Sequence, residues 1–224
     1  LEEVVNLKRQ EGQALAAGGD VYDAMVDDYE PEMTAAEIAA MFDAMRPRLV
    51  ALRAAVLAAE APQKLSGQFA SDKQMALTAK LAASFGYDFD HGRIDCVTHP
   101  FCSGSGKDVR ITTRTSESDP FNCFYSTIHE VGHAAYEQGI DDAYLLTPLG
   151  RGVSMGVHES QSRIYENQLG RGRAFTGWLF ERMRAEFGNR LRNTGTELQD
   201  ASLDFSFRSS AAILGLVDLV FQDM

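Results

Sequence analysis

The run His129-Glu130-Val131-Gly132-His133, set in the apolar stretch from Phe121 to Tyr136, decides how the rest of the chain is read. Residues four apart on an α-helix stack on one face, so His129 and His133 can offer both imidazoles to a single metal ion. Glu130 lies one step round the helix, beside the ion rather than on it. From there its carboxylate can take a proton from a water whose pKa the ion lowers from about 15.7 to roughly 7. Five residues thus supply two ligands and a base, which points to zinc-assisted hydrolysis of a peptide bond. The helix itself is legible: Phe121, Phe124, Tyr125, Ile128, Ala135 and Tyr136 recur at helical spacing, and Gly139 reads as its stop, giving a helix over about 121–138.

A catalytic zinc takes three protein ligands and keeps a fourth position for water, so a further ligand must come from elsewhere. The candidates are His158 and Glu159, in the run Val157 to Arg163 at the start of a helix expected over Val157–Leu169. Glu159 is preferred, because two histidines and one carboxylate complete a gluzincin-type set. The short His-x-x-Gly-x-x-His extension is missing after His133. His158 stays open as the alternative ligand.

Outward from this centre the chain reads as mainly α, a single domain over 1–224. Thr34-Ala35-Ala36-Glu37 is a capping box, and Ile38, Met41, Phe42, Met45, Leu49, Leu52 and Val56 mark a long core-facing helix that Pro47 should kink or split. Ser71-Asp72-Lys73-Gln74 opens another helix in the same way, with Gly86 ending it. Between Gly86 and Phe121 the texture turns to Gly, Ser, Asp and Pro around one alternating run, Asp108 to Arg114, which predicts a strand. A last helix is expected over Ala174–Phe187.

With 45% hydrophobic and 24% charged residues in 224, the composition is globular. A formal charge of −11 argues against nucleic acid or an anionic membrane as partner, since both need clustered Lys and Arg. The early acids at Asp20, Asp23, Asp27, Asp28, Glu30, Glu32 and Glu37 read as a solvated face and turn rather than a cation site. No apolar run approaches the eighteen or so residues of a membrane span, and the expected location is cytoplasmic. Cys96, Cys102 and Cys123 show no paired spacing and read as free thiols, although Cys96, His99 and Cys102 fall at a spacing that could hold a second metal.

Four segments occur in order: His99-Pro100-Phe101, Asp108-Val109-Arg110-Ile111-Thr112, His129 to His133, and His158-Glu159-Ser160-Gln161. Together they resemble the carboxypeptidase Taq family of metallocarboxypeptidases over roughly residues 20–185. Asp27-Asp28-Tyr29-Glu30-Pro31 upstream, and Ser162-Arg163 with Glu166-Asn167 downstream, are also similar to that family. The resemblance implies a mainly helical metallopeptidase fold with a deep groove, a small β element near the metal helix, and removal of single residues from the carboxyl end of peptides. It implies His129, His133 and Glu159 as ligands of one divalent ion, zinc or else cobalt, with Glu130 as base. It implies His99 and Arg110 in the substrate groove, where Arg110 could instead hold a surface carboxylate and His99 cap a loop. A homodimer is also implied. Two later family motifs, IRxxAD and GxxQDxHW, do not occur in the chain, and residues 190–224 are expected to depart from the family pattern. The expectation is a partial, truncated member, with an endopeptidase, an aminopeptidase or a non-catalytic metal-binding fragment as the other readings.

Overall fold

Local chemistry starts the central helix where the sequence requires it. Asp119 accepts a hydrogen bond from the Phe121 amide (3.1 Å), Pro120 fills the first turn, and α5 runs Pro120–Gln138 with Gly139 after it. This is a computed structural model, and it describes residues 1–59 and 67–191. Before α5 come α1 (Glu2–Ala16), α2 (Val21–Val26), α3 (Ala35–Ala58), α4 (Ser71–Ser84) and three short strands: β1 (Ile94–Cys96), β2 (Cys102–Ser105) and β3 (Asp108–Thr113). After it come α6 (Met155–Arg163), a π-helical turn (Ile164–Leu169) and α7 (Arg173–Leu191).

Among the described residues the fold is mainly helical with one small sheet. Its strand order is β1-β3-β2, with β1 parallel to β3 (Ile94 opposite Ile111) and β2 antiparallel to it (Cys102 opposite Ile111). Only β3 shows a readable alternation, burying Val109 and Ile111 between outward Asp108 and Arg110. The flanking strands are three and four residues long, too short to carry a pattern, and β2 is mostly Ser and Gly.

α5 sits at the middle, packed by α4, β3, α6 and the π-turn. Phe124 and Ile128 join Leu77 and Leu81 of α4 and Leu179 and Met183 of α7 in one core cluster. Val131 and Ala134 join Val109 and Ile111 of β3 in a second. Each of the larger side chains contributes about 1.5–3 kcal/mol on burial, which fixes the rotation of α5 about its axis. The hydroxyls of Thr113 and Thr127 stand 3.0 Å apart and both meet the Cys123 carbonyl (3.1 and 2.8 Å), locking sheet to helix inside the core.

Several expectations change. α3 runs unbroken through Pro47, and no residue of it is buried: Met41 and Phe42 are each 48% exposed. Periodicity reports that a helix has an apolar stripe, and not what lies opposite; among the described residues only α2 packs on it substantially. The hydrogen bond that Pro47 removes frees the Asp43 carbonyl on an exposed helix, where it is open to solvent. α4 has no side-chain cap, because Ala70 precedes it and Gln74 is fully buried, its amide donating to the Ser116 carbonyl at 2.9 Å. Gly86, at φ 91°, does end that helix in the left-handed conformation. The early acids are spent on backbone: Asp20 caps α2, Asp23 accepts from the Ala35 amide, and Glu37 closes the capping box with Thr34. The expected departure over 190–224 falls almost wholly outside the described residues. No helix among the described residues is long and apolar enough to cross a membrane.

Candidate metal centre

Two helices bring the site together because one glycine lets them touch. A Cβ on Gly132 would stand 2.5 Å from the Ser162 Cα and 3.1 Å from the Gln161 oxygen, so α6 crosses α5 in direct backbone contact at the fourth residue of the quoted run. Ser154 caps α6, accepting from the Val157 amide at 3.0 Å and donating to Glu30 Oε1 at 2.7 Å; Glu30 Oε2 also accepts from the Gly156 amide. The segment before α3 thereby holds the head of α6 in place.

With the helices so placed, His133 Nε2 lies 3.2 Å from His129 Nε2 and 3.1 Å from Glu159 Oε2, and His129 Nε2 lies 3.7 Å from the same oxygen. A tetrahedral ion with bonds of about 2.0–2.1 Å sets its ligands about 3.3 Å apart. Two of the edges lie close to that figure and the third, at 3.7 Å, is somewhat longer; this is the group among the described residues that could hold a metal ion. His158, the other candidate ligand, lies behind His133: its Nδ1 is 2.7 Å from His133 Nδ1, on the side of the ring away from Nε2. Cys96, His99 and Cys102 form no such group among the described residues, Cys96 being exposed at one end of the sheet segment and Cys102 half-buried in β2.

Glu130 is 7% exposed and borders a groove of about 530 Å³ together with His129, His99, Arg114, Arg163 and Arg171. Burial pushes its carboxyl up to about 7; the neighbouring Glu159 and Glu166 push the same way, and His129 opposes them. Burial also pushes His133 down to about 4, helped by His129 and His158, so its imidazole is neutral and has a lone pair to give.

His99 lines the groove. Arg110 does not: it projects from the exposed face of β3 and pairs with Asp108 (2.8 Å), because strand alternation turns residues 108 and 110 away from the core together. Arg114, just past the end of the strand, takes a place on the groove wall and donates to Asn122 Oδ1 at 2.7 Å.

Sequence reasoning quoted Arg163 and Glu166 only as similar to the family and gave them no role. Glu166 accepts from His129 Nδ1 and from Arg163 (both 3.1 Å), while its other oxygen meets Arg171 at 3.2 Å. Burial acts to raise its pKa, yet the His129, Arg163 and Arg171 contacts outweigh it and the group sits below the usual carboxylate range. Arg163 also donates to Glu159 Oε1 at 2.7 Å. Glu166 reaches His129 from the π-turn, a local widening of the helix that sequence spacing does not announce.

Set against known proteins, residues 1–202 match the family model described as carboxypeptidase Taq (M32) metallopeptidase. The chain belongs to this family. The match extends beyond the residues 20–185 on which the resemblance was read. A thermostable carboxypeptidase 1 of Thermus thermophilus is 40% identical over 205 residues, covering 89% of this chain and 38% of that protein. Carboxypeptidase 1 of Bacillus subtilis is 41% identical over 158 residues, 69% of this chain and 32% of its own length. The crystal structure of an M32 carboxypeptidase from Deinococcus radiodurans superposes with a TM-score of 0.81 at 43% identity, covering 90% of this chain and 41% of the other. The chain spans well under half the length of each of these M32 relatives.

Proposed function

We propose that this M32 family member holds one divalent ion, zinc or cobalt, through His129, His133 and Glu159, and hydrolyses the carboxyl-terminal peptide bond of peptides. The observation that carries the reading is the convergence of three ligand atoms at 3.1, 3.2 and 3.7 Å, a spacing that suits a tetrahedral ion. Nitrogen and carboxylate donors accept several divalent metals, so the donor set suits zinc without excluding cobalt.

When bound, the ion supplies polarisation of the scissile carbonyl and acidification of water. The chain's own residues do the rest. Glu130, shielded from solvent and pushed up to about 7, takes the proton of the attacking water and returns it to the leaving amine. Glu166 fixes the ring of His129 through Nδ1, and Arg163 steadies the Glu159 carboxylate through the oxygen that does not face the histidines. The groove beside Glu130 receives the peptide, with His99 and the Arg114 guanidinium on its walls. Arg114 places positive charge where a peptide's terminal carboxylate would lie against it.

The test is metal analysis of the purified chain beside release of free amino acid from an N-blocked dipeptide, a substrate that an aminopeptidase cannot cut. One metal per chain with turnover supports the reading. One metal per chain with no turnover on any peptide favours a non-catalytic metal-binding module. Glu130→Gln should retain the metal and lose activity by about 100-fold or more, and unchanged turnover would remove Glu130 from the mechanism.

A further inference from the structure

His133 has a partner of its own, reached in two steps. Glu137 lies one helical turn beyond it on α5 and approaches His158 Nε2 at 2.7 Å; His158 Nδ1 in turn approaches His133 Nδ1 at 2.7 Å. The two imidazoles are stacked, with centroids 4.7 Å apart and planes inclined by 22°, and Tyr136 packs against His158 at 4.8 Å. All three polar side chains are largely shielded, the exposures being 15% for His133, 22% for His158 and 24% for Glu137. Gly152 leaves the room for this arrangement, since a Cβ there would stand 2.6 Å from His158 Cδ2.

The chain of contacts has a direction. A carboxylate only accepts, so His158 must donate to Glu137 through Nε2. A neutral imidazole that donates through one nitrogen accepts through the other, so His158 Nδ1 is an acceptor and His133 Nδ1 must carry the proton. With an ion in the site the lone pair of His133 is then on Nε2, the atom that lies 3.1 Å from Glu159 and 3.2 Å from His129; without one, the Glu159 carboxylate can only accept and draws the proton to that same nitrogen. Reversing any link would put a proton on His133 Nε2 and block it as a ligand.

We propose that Glu137 and His158 form a positioning chain that fixes His133 in the tautomer presenting Nε2 to the metal, as Glu166 does for His129 in a single step. The proposal rests on the reading of His133 as a ligand through Nε2. It gives the histidine of the His158-Glu159-Ser160-Gln161 segment a task distinct from that of its neighbour: Glu159 faces the ion and His158 stands behind the opposite ligand.

The experiment is metal affinity, measured by competition with a chromophoric chelator for zinc and cobalt on the 224-residue chain, together with 15N NMR of the histidine rings in the zinc-loaded protein. His158→Phe keeps the stacked ring and removes both nitrogens; Glu137→Ala removes the terminal acceptor. Each should weaken zinc by about 10- to 100-fold, the range that outer partners of ligating histidines command. The double variant should be no weaker than His158→Phe alone, because both changes cut one chain. Glu137→Gln, which keeps an acceptor oxygen, should recover most of the affinity. In the wild-type protein the NMR should show a through-hydrogen-bond coupling from the protonated Nδ1 of His133 to His158 Nδ1, a readout that needs no variant to fold and that a purely packing role for His158 would not set. No coupling between the two Nδ1 atoms, or both single variants binding zinc within about twofold of wild type, would overturn the proposal. His133→Ala separates the two levels: if it binds zinc like the wild type, the ligand reading itself fails, whereas its loss of zinc beside unaffected His158 and Glu137 variants sinks the positioning chain alone.

Discussion

Replacing Gly132 by alanine adds one methyl at the point where the two ligand-bearing helices touch. Its three nearest neighbours are the Ser162 Cα at 2.5 Å, and the Gln161 oxygen and Ser162 nitrogen at 3.1 Å, all backbone, so no rotamer change relieves the overlap. Carbon atoms pack at about 3.5–4.0 Å, so α6 must retreat by about 1 Å or more. Glu159 retreats with it. Its 3.1 and 3.7 Å distances to the histidine nitrogens then stretch towards a separation that two bonds of about 2.0–2.2 Å, which reach about 4.2 Å end to end, can no longer bridge in tetrahedral geometry. Overpacking of this kind costs about 1–3 kcal/mol, and the better helix propensity of alanine returns about 0.5–1 kcal/mol. For a chain of this size a net loss of 1–2 kcal/mol lowers Tm by roughly 2–8 °C. Zinc affinity should fall by about tenfold or more, the scale on which displaced or loosened ligands are felt. The assay is thermal unfolding of the metal-free protein with chelator competition for zinc. Gly177→Ala is the matched control, since its added Cβ meets nothing within 4 Å on α7 and should be neutral or slightly stabilising. If Gly132→Ala melts and binds zinc as the wild type does, helix contact at this glycine is not what sets the site.

Three other outcomes are expected. Burial pushes the Tyr87 phenol up to about 12, and its hydroxyl donates to the Val109 carbonyl at 2.7 Å. Its native pKa lies above the unfolded value of about 10, so the stability it gives is full below pH 10 and is lost as pH rises towards 12. Tyr87→Phe should cost about 1–2 kcal/mol at neutral pH and flatten the alkaline fall in chemical-denaturation midpoints; an unchanged slope contradicts the assignment. Iodoacetamide at pH 8, followed by mass spectrometry, should label exposed Cys96 first, with buried Cys123 spared and Cys102 slow because burial holds its thiol up at about 12; early labelling of Cys102 would contradict its placement. In an active preparation, Arg114→Ala should raise KM for a blocked dipeptide by about fivefold or more while Arg110→Ala leaves it nearly unchanged, and the opposite ranking would return Arg110 to the groove.

The histidine pair, the intervening Glu130 and the helix that carries them were legible because an α-helix turns sequence spacing directly into direction: four residues make one face. The capping box of Thr34 and Glu37 and the stop at Gly86 were legible for the same reason, acting over three or four positions, whereas the cap expected at Ser71 did not form. Tertiary structure alone decided which downstream residue faces His129 and His133. Glu159 and His158 are adjacent in sequence and on different sides of a ligand ring in space, and the choice between them is made by the crossing of α6 over Gly132. It also decided that Glu166 reaches His129 from a π-turn, that Arg114 rather than Arg110 walls the groove, and that α3 keeps its apolar stripe exposed. Short-range periodicity fixes how a segment presents its side chains. What stands opposite them depends on contacts between residues far apart in the chain, which no local pattern encodes.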